Sequence, residues 1–233
     1  MDVAGRTVVV TGASRGIGAA LVGAFAAEGA HVVACARDEE SLSDVVAGVE
    51  DAEGSAEAVR ADVRDEFDAE RLMETAARAG DDGIAVVVAN AAVNHGAPGE
   101  MPMGEESYTR FDDTLRTNVR GVFSTIREAL PHATDETRVL VPSGSIANDP
   151  KPGMGAYAVS KAAVEGLARQ FAADTDVAVG VVDPGFVSTD LSGGQGRDPA
   201  DVAPMYVWAA TDADREAVDG GRLGLKDWKK ATR

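Results

Sequence analysis

Two residues four apart, Tyr157 and Lys161 in the run Tyr157-Ala158-Val159-Ser160-Lys161, could together move a proton. They fall early in an alanine-rich segment of helical character, and an i,i+4 spacing on a helix places both side chains on one face. An unperturbed tyrosine titrates near pH ~10, too high for acid/base work at neutral pH. A neighbouring ammonium stabilises the phenolate and lowers that value towards the working range. The spacing also arises by chance, and its plain alternative is an exposed helical pair. A second segment shifts that balance. Thr11-Gly12-Ala13-Ser14-Arg15-Gly16-Ile17-Gly18 directly follows an apolar run and opens a helical one. Glycine has no Cβ, so such a backbone turns sharply and approaches a pyrophosphate closely. The N–H groups and the positive dipole end of the helix then face that anion. In a strand-turn-helix context the pattern reads as a dinucleotide site, with a tight turn that holds no ligand as the rival.

These residues need elements to hold them. Short apolar runs, Thr7 to Val10, His31 to Ala36, Ala56 to Ala61, Ile84 to Ala89, Val139 to Val141, Val177 to Val182 and Arg222 to Leu225, alternate with longer amphipathic segments. Helices are predicted near 17–28, 39–52, 66–79, 107–131, 157–173 and 199–210. Several runs are valine-rich throughout, as in parallel strands covered on both faces. The alternation predicts one α/β domain over residues 1–233, a Rossmann-like doubly wound parallel sheet of about seven strands with helices on both faces. Ligands of such sheets bind at the carboxyl ends of the strands. The glycine turn and the loop Val141-Pro142-Ser143-Gly144-Ser145-Ile146-Ala147 both fall there.

The spacing T-G-x3-G-x-G, together with Y-x3-K, resembles the short-chain dehydrogenase/reductase family. Seven motifs occur in that family's order over residues 5 to about 190. The resemblance implies hydride transfer between a nicotinamide and a carbonyl or alcohol, with Tyr157 as acid/base and Lys161 holding the nicotinamide ribose hydroxyls. It also implies a serine about 13 residues before the tyrosine that binds the substrate oxygen. Counting back lands on Gly144, between Ser145 and Ser143. Ser-Ile-Ala fits the local pattern and favours Ser145. Ser143 is the runner-up, and a strand-end hydroxyl bonded to local backbone is the plain reading for it. Asn118 matches the asparagine that supports a water relaying protons to the lysine. Cofactor contacts fall on Gly12, Ser14, Arg15, Gly16, Ile17 and Gly18, on Asp62 and Val63 after the third run, and on Asn90 and Ala91 after the fourth. Pro184, Gly185, Val187 and Thr189 complete them in Asp183-Pro184-Gly185-Phe186-Val187-Ser188-Thr189. Ala92 stands where the family usually has glycine, which implies less room beside the cofactor.

An acidic residue about 20 positions beyond the glycines accepts from the ribose 2′-OH of NAD, whereas an arginine there accommodates the 2′-phosphate of NADP. Ala36 falls at that position and Arg37 follows it. Arg15 supplies a second guanidinium for a multidentate phosphate site. The cofactor expected is therefore NADP(H), with Asp38 as the carboxylate that could spoil the assignment. Among substrates a ketone, aldehyde or 3-oxoacyl group leads. A sugar or polyol dehydrogenase and a catalytically weak NADP(H)-binding regulatory protein are the alternatives. Only about ten residues form the usual lid region near 190–200, and its glycines make that lid flexible and short. The family's paired helices imply a homodimer or homotetramer.

Composition narrows the partners. Asp and Glu number 39 against 22 Lys and Arg, a net charge of −17. Nucleic acid and anionic membranes depend on cationic contacts and are disfavoured. No apolar run approaches the ~18 residues of a membrane span. The three histidines, His31, His95 and His132, lack ligand spacing, so no catalytic metal is expected. One cysteine, Cys35, and the absence of a leader-like start predict a cytoplasmic protein. The acidic surface suggests adaptation to high salt, where screening removes self-repulsion.

Overall fold

The valine-rich runs lie side by side in a computed structural model, which describes residues 1–80 and 82–233. Strands β1 (Thr7–Thr11), β2 (His31–Ala36), β3 (Ser55–Arg60), β4 (Ile84–Val88), β5 (Ala133–Pro142), β6 (Ala178–Asp183) and β7 (Arg222–Gly224) make one sheet. All its pairings are parallel, in the order β3-β2-β1-β4-β5-β6-β7. The helices are α1 (Gly16–Ala27), α2 (Glu39–Asp51), α3 (Glu66–Arg78), α4 (Tyr108–Leu115), α5 (Gly121–Ala129), α6 (Gly155–Asp174), α7 (Pro199–Thr211), α8 (Arg215–Val218) and α9 (Leu225–Ala231). Successive strand residues serve opposite layers, as the two-residue repeat of a strand requires. Val8, Val10 and Val32 pack with Leu21, Phe25, Leu42 and Met205 from α1, α2 and α7. Val9, Val33 and Val87 pack with Leu72, Met73, Ile126 and Val164 from α3, α5 and α6.

The chain steps outward from β1 to β2 and β3, then crosses back to lay β4 on the other flank of β1. The loops after β1 and β4 therefore diverge from one another, and a crevice opens between them at the carboxyl edge. The two loops meet closely at its base. A Cβ on Gly12, whose φ is +65°, would come within 2.7 Å of the Ala91 Cα.

Four features depart from the sequence-based elements. The helix expected over 107–131 is broken by a π turn at Arg116–Arg120, where the Gly121 N–H reaches back to the Arg116 carbonyl. Strand β5 begins at Ala133, earlier than its apolar stretch. Strand β3 is not covered on both faces; it is a sheet edge whose residues are all exposed or half-buried. Helices α8 and α9 carry too short an apolar pattern to have been predicted. No helix among the described residues is long and apolar enough to cross a membrane.

Candidate active site

A single cleft of about 1410 Å³ runs along the carboxyl edge. That exceeds the ~300–1,000 Å³ of an ordinary small-molecule pocket and gives room for two ligands at once. Gly12, Ser14, Arg15, Gly16, Ile17, Arg37, Asp62, Val63, Asn90 and Ala91 line it, as do Ser145, Tyr157, Lys161, Pro184, Gly185, Val187 and Thr189. Gly18 and Asn118 lie behind that lining. Gly18 is a support: a Cβ there would strike the Gly12 carbonyl oxygen at 2.2 Å, so only glycine lets α1 start this close to β1. Gly16 has φ +57° and packs against Thr189, whose Cγ2 would sit 3.1 Å from an added Cβ.

The start of α1 suits an anion. Helices α2, α3, α4 and α7 are capped by the side chains of Asp38, Asp65, Ser107 and Asp198. Arg15 at the N-cap of α1 supplies no such acceptor, and the first turn holds no acidic residue. Its leading N–H groups therefore lack a side-chain partner beside the cleft, as a dinucleotide phosphate would require. Asp38 is committed elsewhere. It accepts from the Ser41 N–H at 3.2 Å and the Ser41 hydroxyl at 2.8 Å, and these bonds hold its carboxyl below the usual range. Arg37 makes no ion pair among the described residues, whereas Arg15 reaches Asp190 at 3.1 Å.

Two of the expected contact residues prove structural in their side chains. The Asn90 Nδ2 donates to the carbonyls of Thr11 (2.9 Å) and Gly12 (3.1 Å), tying the end of β4 to the glycine turn. The Asp62 carboxylate is held by the Arg64 guanidinium at 2.6–3.0 Å, and Arg64 also reaches Asp113 at 2.7 Å. Ala92 meets no conformational obstacle. Glu53 is the sole non-glycine residue with positive φ among those described, so Ala92 has ordinary backbone and needs no glycine.

At the other end of the cleft, α6 presents Tyr157 and Lys161 together. The Lys161 Nζ lies 5.6 Å from the Tyr157 ring centroid and donates to the Pro142 carbonyl at 2.9 Å. In this geometry the shift of the tyrosine runs opposite to the expected lowering. Burial pushes the Tyr157 hydroxyl up to about 12, and it pushes the Lys161 ammonium down to about 8 against the opposing charge of Glu165. Desolvation is the leading cause in each group. The two candidate serines separate cleanly in placement. Ser143 is buried, and its Oγ donates to Glu165 Oε1 at 2.7 Å. Ser145 opens a short 3-10 turn, is exposed, and faces the cleft with no side-chain bond to protein among the described residues.

Asn118 is 1% exposed. Its Oδ1 accepts from the Val93 N–H at 2.7 Å, and its Nδ2 donates to the Val93 carbonyl (3.0 Å) and to Ser160 Oγ (2.9 Å). These bonds pin the cleft wall to α6 through the Asn118 side chain. The lid is short but built: Ser188 and Phe186 pair with Arg197 at 2.7 and 2.9 Å, and Gly193, Gly194 and Gly196 all take positive φ to close the loop. Its glycines serve tight turns rather than looseness.

Sequence reading passed over several residues. Thr11 Oγ1 accepts from the N–H groups of Asn90 (3.0 Å) and Ala91 (3.1 Å) and so joins the two crevice loops. Asp190, Glu165 and Arg222 carried no motif. A buried acid one turn beyond Lys161 was the available signal for Glu165. Cys35 borders the cleft with its thiol pushed up to about 12 by burial, which leaves it a poor nucleophile. No cluster of three metal-ligating side chains occurs among the described residues.

Fold and cleft together have known counterparts. The family model described as short chain dehydrogenase matches residues 6–200, and the chain belongs to the short-chain dehydrogenase/reductase family of oxidoreductases. It is 33% identical to 3beta-hydroxysteroid dehydrogenase 1 of Eggerthella lenta, over 91% of this chain and 88% of that one. It is 32% identical to the rhamnolipids biosynthesis 3-oxoacyl-[acyl-carrier-protein] reductase of Pseudomonas aeruginosa, over 96% and 85%. A short chain dehydrogenase from Burkholderia cenocepacia, solved in complex with NADP, superposes with a TM-score of 0.85 at 28% identity, over 97% of this chain and 98% of that one.

Proposed function

We propose that this protein is an NADP(H)-dependent oxidoreductase that interconverts a carbonyl and an alcohol on an apolar substrate. The observation that carries the reading is one cleft joining the uncapped, arginine-flanked start of α1 to Tyr157, Lys161 and Ser145. Gly12 to Ile17, Asn90 and Ala91 would hold the dinucleotide, with Arg15 and Arg37 on its 2′-phosphate, Asp62 and Val63 at the adenine, and Pro184 to Thr189 at the nicotinamide. When bound, that group supplies or accepts the hydride. The chain's own residues do the rest. Ser145 donates a hydrogen bond to the substrate oxygen, and Tyr157 gives it a proton during reduction or takes one during oxidation. Lys161 supports the phenolate that remains, a demand that grows once a ligand excludes water. Asn118 keeps the wall beside them in place.

The cleft wall flanking these residues carries Ile146, Pro152, Met154, Phe186 and Leu191, which favours a ketone, aldehyde or 3-oxoacyl compound over a sugar. The hydroxysteroid and 3-oxoacyl relatives act on substrates of that character, judged by their names. Exposed Phe123 on α5 and Val159 on α6 supply an apolar face for a homodimer or homotetramer. The test is a panel of apolar ketones and polyols followed by nicotinamide absorbance, with kcat/KM compared for NADPH and NADH. NADPH preference with turnover of the apolar ketones is expected. Preference for NADH overturns the cofactor assignment, and tight NADPH binding without any turnover favours a regulatory protein.

A further inference from the structure

We propose that Glu165 is the positioning residue of the catalytic half of the cleft, one buried carboxylate that fixes both ends of the Ser145 loop. The role rests on the functions proposed above for Ser145, Tyr157 and Lys161. Glu165 lies one helical turn beyond Lys161, as Lys161 lies one turn beyond Tyr157, so all three share a face of α6. Its side chain is almost wholly buried at 4% exposure. One oxygen accepts from Ser143 Oγ at 2.7 Å, two residues before Ser145. The other accepts from Asn148 Nδ2 at 3.0 Å, three residues after it. The loop is thus stapled on either side of its hydroxyl.

The staple extends further. The Arg222 guanidinium on β7 donates to Glu165 Oε1 and, through its second nitrogen, to Asp183 Oδ2 at 2.8 Å. Asp183 Oδ1 in turn accepts the Gly185 N–H at 2.9 Å, setting the turn that faces the nicotinamide end. One network therefore locks β5, α6, β6 and β7 where they meet the cleft. A buried charge is costly unless it is paired and hydrogen-bonded, and a hydrophobic side chain would close this space more simply. Three converging donors account for a carboxylate here. A glutamine would turn its NH2 towards Asn148, keeping all three partners only if the Asn148 amide flips to accept, and would leave the Arg222 guanidinium without its buried counter-charge. The charge also matters to its neighbour: Glu165 opposes the desolvation that drives Lys161 towards neutrality. The other titratable or charged groups around this pair are Tyr157 on α6, Asp183 on β6, Tyr206 on α7 and Arg222 on β7.

The test separates geometry from charge with Glu165→Gln, Glu165→Asp and Asn148→Ala. Each is assayed for kcat and NADPH KM from pH 6 to 10, and for hydrogen exchange at the amides of Ala147, Asn148 and Asp149, which bond within the loop. Loosening the loop should cost about 10–100-fold in kcat in Glu165→Gln, the scale of a small misplacement, with NADPH KM little changed. Its alkaline limb should move to lower pH, since Lys161 loses the anion that favours its charge. Glu165→Asp keeps the charge but is one methylene short, so kcat should fall while the limb stays. Asn148→Ala, at an exposed position, should speed loop exchange and lower kcat without moving the limb. If Glu165→Gln does not fold, Asn148→Ala decides the matter. Wild-type kcat with unchanged loop exchange in a folded variant overturns the proposal. Absence of NADPH turnover in the wild-type protein instead sinks the catalytic reading, and loop exchange still decides whether Glu165 staples the loop.

Discussion

Lys161 and Tyr157 show what single residues give up for their position. Burial lowers the folded-state pKa of Lys161 from 10.5 to about 8 and raises that of Tyr157 from 10.0 to about 12. Between pH 8 and 10.5 the unfolded chain binds the lysine proton and the folded chain does not, so stability rises with pH through that window. Below pH 8 the full cost of a buried ammonium is present. The tyrosine acts oppositely and only above pH 10, where stability falls as pH climbs towards 12. Lys161→Met removes the ammonium and its pH dependence together. The change leaves the Pro142 carbonyl without its donor, a loss of about 1–3 kcal/mol that is the same at either pH. The difference in Tm between variant and wild type should therefore be more favourable to the variant at pH 7 than at pH 10, by about 2–4 °C for each kcal/mol recovered. Thermal melts at the two pH values check this; equal differences would show that burial does not tax the lysine. The types and spacing of Tyr157 and Lys161 were legible in the sequence. Their protonation was not, because desolvation depends on packing that no local motif encodes. The choice between Ser143 and Ser145 was likewise closed to counting, since it turns on Glu165, more than 20 residues away in the chain.

At the scale of elements, legibility followed the strength of the hydrophobic period. Valine-rich β1, β2, β4 and β6 announced themselves, as did α3 with its Leu72, Met73 and Ala76 stripe. The π turn at Arg116–Arg120 did not, because a one-residue insertion in a helix leaves composition unchanged while rotating everything beyond it. The position of β3 at the sheet edge was not legible either, since alanine and valine in Ser55–Arg60 suit an edge or a central strand. Two glycines inside elements make the tertiary contribution measurable. Gly180 on β6 pairs with Leu140, and a Cβ there would meet the Val218 carbonyl oxygen at 2.2 Å. Gly48 in α2 is exposed, with nothing within 4 Å of an added Cβ. Gly180→Ala should cost about 1–3 kcal/mol through overpacking of β6 against α8. Gly48→Ala should gain about 0.5–1 kcal/mol from helix propensity alone. Urea midpoints of the two variants test both signs. A neutral Gly180→Ala would mean that α8, which carries Val218, yields, and a destabilised Gly48→Ala would mean that the exposed face of α2 is constrained at that position.

For the whole molecule the decisive quantity is charge. With 39 acidic and 22 basic residues, 39 − 22 leaves 17 carboxylates unanswered. The cations are also unevenly spent. Arg6, Arg64, Arg71, Arg120 and Arg222 each neutralise an acid in the folded body, while Lys226, Lys229 and Lys230 crowd onto α9 at the far end of the chain. Salt acts on this distribution in two opposing ways. It weakens the exposed ion pairs, most of which contribute at most about 1 kcal/mol each. It also relieves the long-range repulsion of the excess carboxylates, which compaction brings nearer to one another. The Debye length falls from ~30 Å at 0.01 M to ~8 Å at 0.15 M and ~3 Å at 1 M, so the repulsive part is screened first because its separations are longest. Tm should therefore rise with sodium chloride, most steeply below about 0.3 M, and continue more slowly towards molar salt. The Arg15–Asp190 pair, exposed on both sides, should weaken over the same range. A Tm that stays flat or declines from dilute buffer to molar salt would show that the acidic surface is an ordinary solvated one, with its pairs outweighing its repulsion.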